Sequence, residues 1–153
     1  LATIKPSHDP TCEETMTVSD ELQARAFFEQ RYGISAAPLL GEIERRVIGG
    51  DWGANGYTTM AQADQVASGL GLSGTDRLLD LGTGRGWPGL YLATRTGCRV
   101  VLADLPLEGL QVAATRAQAE GLADRAAMVV AGASGLPFQP GSFDAIIHTD
   151  VLC

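Results

Sequence analysis

Leu78–Ala93 reads LLDLGTGRGWPGLYLA, and this stretch decides how the whole chain is to be read. A short apolar run meets a cluster of glycines, and a helix-like apolar pattern follows. Gly84, Gly86 and Gly89 have the G-x-G-x-x-G spacing of a dinucleotide-binding turn. Asp80, Gly82, Gly84 and Gly86 have the spacing D-x-G-x-G-x-G, which suits a different ligand. Both readings place the glycines between a strand and a helix.

Working outward, Arg77–Leu81 predicts a strand and Trp87–Thr96 a helix, with Pro88 tolerated in its first turn and Gly97 as its stop. Arg99–Ala103 (RVVLA) predicts a second strand, Pro106–Glu120 a helix stopped by Gly121, and Ala126–Ala131 (AAMVVA) a third strand. After the loop residues Leu136-Pro137-Phe138 and Pro140-Gly141, Phe143–Thr149 predicts a fourth. Continuous apolar strands alternating with helices imply an α/β fold, a doubly wound parallel sheet covered on both faces, with right-handed crossovers. Upstream, the pattern is helical. Ser19 or Asp20 caps a helix to about Tyr32 with Leu22 and Phe27 as candidate core, and Pro38–Val47 forms another. Thr59–Leu70 presents Met60, Ala63, Val66, Ala67 and Leu70 on one face. The expected organisation is a lead-in over 1–18, a helical lid over 19–75 and an α/β core over 76–153.

The totals exclude several function classes. The chain has 153 residues and a formal net charge of −7, with no block of Lys or Arg. Phosphate neutralisation needs clustered cations, so no nucleic-acid partner is expected. Cys12, Cys98 and Cys153 are too far apart for a disulfide framework or a metal-ligand spacing, and His8 and His148 add no cluster, so no metal is expected. No run of 18 apolar residues and no basic-then-apolar leader is present. The expectation is a cytoplasmic protein without a membrane partner.

The two cofactor readings share much of their physics. Glycines after a strand let the backbone approach a ligand, and the next helix offers N–H groups to an anion. That anion is pyrophosphate in a dinucleotide and the methionine carboxylate in S-adenosyl-L-methionine (SAM). Asp104, at the end of the second strand, is placed to accept from ribose hydroxyls, which both ligands carry. Asp80 separates them: a carboxylate before the loop is a poor neighbour for pyrophosphate and a good one for an ammonium.

At these residues the chain resembles the class I SAM-dependent methyltransferases, in particular small-molecule members with an LPF…FD segment. The resemblance rests on LLDLGTGRGWPGLYLA, VVLADLP (Val100–Pro106) and GLPFQPGSFDAIIHTDVL (Gly135–Leu152), in order over half the chain. DWGANGYTT (Asp51–Thr59) resembles, more loosely, part of a helical lid. The resemblance implies that Asp80 holds the methionine amino group, directly or through water, while Gly82, Thr83, Gly84 and Gly86 shape the loop. It implies that Asp104 grips the ribose, that Leu105 packs beside adenine, and that Ala133 and Ser134 lie at the adenine edge. The Asp that many relatives carry after the third strand is replaced here by Gly132 or Ala133.

The implied activity is methyl transfer from SAM to a small-molecule acceptor. The alternatives are a non-catalytic module acting with a partner chain, and an NAD(P)-dependent oxidoreductase. No catalytic dyad is legible; His148 and Tyr57 are the candidates for a base or a pocket wall, each set against a structural role. Arg85 reads as solvated, and Trp87 as core or cofactor wall. The family's sheet has seven strands in the order 3-2-1-4-5-7-6, of which four are read here. The expectation is therefore a fragment, or a chain whose fourth-strand edge is covered by a second copy or another chain.

Overall fold

The structure is a computed structural model, and it describes residues 19, 22–23, 25–27, 38–54 and 56–149. The expected lead-in lies outside the described residues, as does much of the helix expected over Ser19–Tyr32. Of that helix's candidate core positions, Leu22 and Phe27 are instead 61% and 59% exposed.

α1 (Pro38–Val47) and α2 (Met60–Leu70) lie ahead of the sheet. α2 starts where Thr59 and Gln62 cap each other: the Thr59 side chain accepts from Gln62 N–H, and the Gln62 side chain accepts from Thr59 N–H. Ala63 is fully buried, and Val66 and Ala67 pack on the main core. Leu70, expected on the same face, is exposed at the last position of the helix, beside the Gly71 cap.

The sheet follows: β1 (Arg77–Leu81), α3 (Gly89–Thr96), β2 (Arg99–Asp104), α4 (Leu107–Ala119), β3 (Ala126–Val130), a short 3-10 turn (Ala133–Gly135) and β4 (Ala145–Ile147). All pairings are parallel and the order is β3-β2-β1-β4, so the α/β expectation holds. β4 is shorter than expected because Phe143 and Asp144 serve another purpose. Asp144 N–H donates to Arg77 O at 2.9 Å, and Arg77 N–H returns a bond to Asp144 Oδ2 at 2.8 Å. Phe143 stacks edge-on against Phe138, with the Arg77 guanidinium over its ring. The FD pair thus sets the register in which β4 meets β1.

One face of the sheet carries Leu78, Val100, Leu102 and Ile147, which pack with Leu90, Leu92, Leu110, Ala113 and Ala117 of α3 and α4. Each fully buried leucine contributes about 1.5–3 kcal/mol relative to exposure. The opposite face, with Ala127, Val101, Leu79 and Ile146 in one register row, joins neither apolar cluster, and Ile146 is 59% exposed. Leu79 on that face is nonetheless 1% exposed, and α3 and α4 both lie against the first face. The reason is topological. α3 and α4 are crossovers that step the same way across the sheet, and right-handed connections put them on the same side. The step from β3 back past β1 to β4 runs the other way, and its connection contains only the 3-10 turn.

Among the described residues, no helix is long and apolar enough to cross a membrane, and no group of three or more His, Cys, Asp or Glu could hold a metal ion.

Candidate cofactor site

β1 and β2 deliver their C-terminal ends side by side, with Asp80 opposite Leu102 and Leu81 opposite Ala103. The chain then bends back: Gly82 and Thr83 N–H both donate to Ala103 O, at 2.8 and 3.3 Å. Gly84 N–H donates to Asp104 Oδ2 at 2.6 Å, and Leu105 N–H to Asp104 Oδ1 at 2.7 Å. One carboxylate at the end of β2 thereby fixes the middle of the glycine turn after β1. Gly86, at φ +96°, turns the chain into α3, whose first turn is entered by the Leu90 N–H bond to Gly86 O.

Asp80 lies beneath this turn and is wholly buried. Its Oδ2 accepts from the Thr83 hydroxyl at 2.7 Å and from Gly89 N–H, at the start of α3, at 2.9 Å. Its Oδ1 is buried with no partner. Burial pushes the Asp80 carboxyl up to about 7, and the charge of Asp104 adds to the rise; the Thr83 and Gly89 donors oppose it. Asp104 is also raised, by burial, against the Gly84 and Leu105 donors.

In the unfolded chain Asp80 titrates near its ordinary value of 3.8. Between there and about 7 the folded chain holds a proton that the unfolded chain has lost, so stability falls as pH rises through that window. Asp80→Asn cannot ionise. Its urea-unfolding free energy should therefore gain on wild type from pH 5 to pH 8, by about 2.5 kcal/mol. Parallel pH profiles for the two proteins would refute a buried, titrating Asp80.

The remaining site residues expected from sequence are spread along the same edge of the sheet. Ala133 and Ser134 sit in the exposed 3-10 turn after β3, tied to β2 through Ala131 N–H and Asp104 O at 3.0 Å. His148 is exposed just past β4. Tyr57 is 81% exposed. Trp87 is core: it is 5% exposed, packs with Ile48, Ala63 and Tyr91, and donates Nε1–H to Thr58 O at 2.9 Å. Arg85 is half-buried rather than solvated.

Two residues escaped the sequence reading as parts of the site. Gly89 was legible as the last glycine of G-x-G-x-x-G, but its purpose is packing: a Cβ there would lie 2.6 Å from Asp80 Oδ2 and 2.7 Å from Leu102 Cδ2. Arg116 gave no signal, because its partner Asp51 is distant in sequence.

Comparison with known proteins bears on the same residues. The methyltransferase-domain family matches residues 78–153. The chain is 39% identical over 83 residues to Methyltransferase GfsG of Streptomyces halstedii, covering 54% of this chain and 30% of that protein. Over 85 residues it is 35% identical to erythromycin 3''-O-methyltransferase of Saccharopolyspora erythraea, covering 55% and 28%. Thus the chain spans less than a third of the length of these relatives. Among solved structures, it is similar to geranyl diphosphate C-methyltransferase from Streptomyces coelicolor A3(2), in complex with Mg2+, geranyl diphosphate and S-adenosyl-L-homocysteine. That likeness has a TM-score of 0.56 at 26% identity and covers 74% of this chain and 41% of that one. The two ligands left open by the glycine spacing are thereby separated, and residues 78–153 make this chain a member of the class I SAM-dependent methyltransferase family.

Proposed function

We propose that the chain binds SAM at the glycine turn and forms the cofactor-holding part of an enzyme that methylates a small-molecule acceptor. The observation that carries this reading is the pair of carboxylates, Asp80 beneath one glycine turn and Asp104 bonded to its Gly84 N–H, with the charge of Asp104 close enough to raise the Asp80 carboxyl. Two acids oppose a diphosphate. They suit a ligand with one ammonium and a ribose diol.

The residues present fit that ligand. The partnerless Oδ1 of Asp80 is an acceptor for the methionine ammonium, directly or through water. Asp104 uses each oxygen for one backbone N–H, and a carboxylate has lone pairs left for two ribose hydroxyls. Leu105 follows it beside the adenine, with Ala133 and Ser134 at the adenine edge. SAM supplies an electrophilic methyl group on a sulfonium. The chain's own contribution is to hold the methionine end, fix the ribose and align the methyl with an acceptor while excluding water. His148, at the carboxyl edge past β4, is the group placed to take a proton from a hydroxyl acceptor. Tyr57 is left outside the proposal by its exposure. The relatives' names, an erythromycin O-methyltransferase among them, support a small acceptor.

Calorimetric titration with S-adenosylhomocysteine and with NADH tests the cofactor, with the former expected to bind more tightly. Tighter NADH binding would overturn the reading. The acceptor is tested by methyl release from SAM over a macrolide glycoside, an isoprenyl diphosphate and a glutamine-bearing peptide. Turnover confined to the peptide would refute the small-molecule class.

A further inference from the structure

The segment between Ile48 and Met60 is a loop closed on itself, its ends joined by the Met60 N–H bond to Ile48 O at 2.8 Å. Its near side is organised by Glu44 of α1, whose Oε1 accepts from Trp52 N–H at 2.6 Å and Ala54 N–H at 3.0 Å. Its far side lies across α3, α4 and the glycine turn. Trp52 packs edge-on against Tyr91, with ring centroids 5.2 Å apart, and sits 6.0 Å from Trp87. Gly53 is buried at φ +74°, and a Cβ built there would lie 3.5 Å from Arg85 Cβ and 3.7 Å from Arg116 Nη2. Arg85 lies between Gly84 and Gly86, so this strap rests directly on the turn described above.

Arg116 of α4 fastens it. The guanidinium donates Nη1–H to Asp51 O at 2.7 Å, approaches Asp51 Oδ1 at 3.7 Å, and lies 5.8 Å from the Trp52 ring centroid. Only 23% of its side chain is exposed, and Nε is buried with no partner. A charge held this deep, with one donor unsatisfied, is costly for a mere surface contact. The same helix begins three residues after Asp104, and its Ala113 would lie 3.2 Å from a Cβ on Gly86.

We propose that Arg116 is a positioning residue for the cofactor turn. It latches the Asp51–Gly53 strap onto Arg85, so that the turn between Asp80 and Asp104 is held in its ligand-ready bend before the cofactor arrives. This rests on the SAM reading of the site, though the latch itself is made by the chain's own residues. Arg116 touches no reacting atom; it acts through Trp52 and Gly53. Preorganising a loop reduces the ordering that binding would otherwise require, and its loss appears as weaker affinity.

The test compares wild type, Arg116→Met and Arg116→Lys by S-adenosylhomocysteine titration and by acrylamide quenching of tryptophan fluorescence without ligand. Arg116→Met keeps the apolar stem and removes the charge and donors. It should weaken S-adenosylhomocysteine about fivefold or more and make Trp52 more accessible to quencher. Arg116→Lys, which retains a cation and one donor, should recover part of both effects. Should Arg116→Met fail to fold, Arg116→Lys against wild type carries the same comparison. Affinity equal to wild type in the folded variants overturns the proposal, and so does unchanged quenching. A wild-type chain that binds no S-adenosylhomocysteine sinks the cofactor reading instead, and quenching then judges the latch by itself.

Discussion

Replacing Asp104 by alanine is expected to weaken S-adenosylhomocysteine binding at least tenfold. Asp104 has two functions at once. Its oxygens hold Gly84 and Leu105 N–H at 2.6 and 2.7 Å, and it stands where ribose hydroxyls would be received. Hydrogen bonds to a charged group are worth roughly 1.5–3 kcal/mol each, and a partly buried carboxylate lies toward the upper end. Alanine removes the ribose acceptor and also leaves the Gly84 N–H without its anchor. Asp104→Asn separates the two losses, because its one carbonyl oxygen can still hold a backbone N–H while its amide offers donors where acceptors are needed. It should fall between wild type and alanine. Calorimetry decides the matter, and unchanged affinity in Asp104→Ala would remove the ribose assignment.

The second large effect concerns folding. Gly89→Ala should lower unfolding free energy by about 3 kcal/mol, as overpacking against rigid neighbours does. The added methyl would meet Asp80 Oδ2 at 2.6 Å, Leu102 Cδ2 at 2.7 Å and Asp80 Cβ at 2.9 Å, none of them the end of a flexible exposed side chain. To make room, α3 must lift from the sheet or Asp80 must release the Gly89 N–H, which leaves buried polar groups unpaired. Gly86→Ala should approach the same loss by a different route, combining φ +96° with a contact 2.6 Å from Leu90 Cδ1. Gly69→Ala is the contrast. It lies in α2 with open space around it, and should be neutral or stabilising by up to about 1 kcal/mol. Urea melts of the three variants give the ranking directly. A Gly89→Ala loss no greater than that of Gly69→Ala would mean that α3 does not press on Asp80.

Much of this was readable because its causes are local. Glycines after an apolar run announce the turn within a few residues, and Gly71, Gly97 and Gly121 mark helix ends by the left-handed backbone they allow. The strand–helix alternation therefore predicted a parallel α/β sheet, and the family resemblance implied the β3-β2-β1-β4 order that the structure has. The likeness in three motifs points to the family from the sequence alone. Leu70 shows the limit: its periodicity is right, yet at the last position of the helix it is exposed.

By itself, then, the sequence determined the order and kind of elements and the glycine turn after Asp80, since these depend on residues within a turn or two of each other. Tertiary structure alone decided that Asp80 engages the start of α3 and that α3 and α4 cover a single face. It also decided that Arg116 reaches Asp51, 65 positions away. Such contacts depend on where separate elements come to rest in space, and spacing along the chain carries no record of that distance.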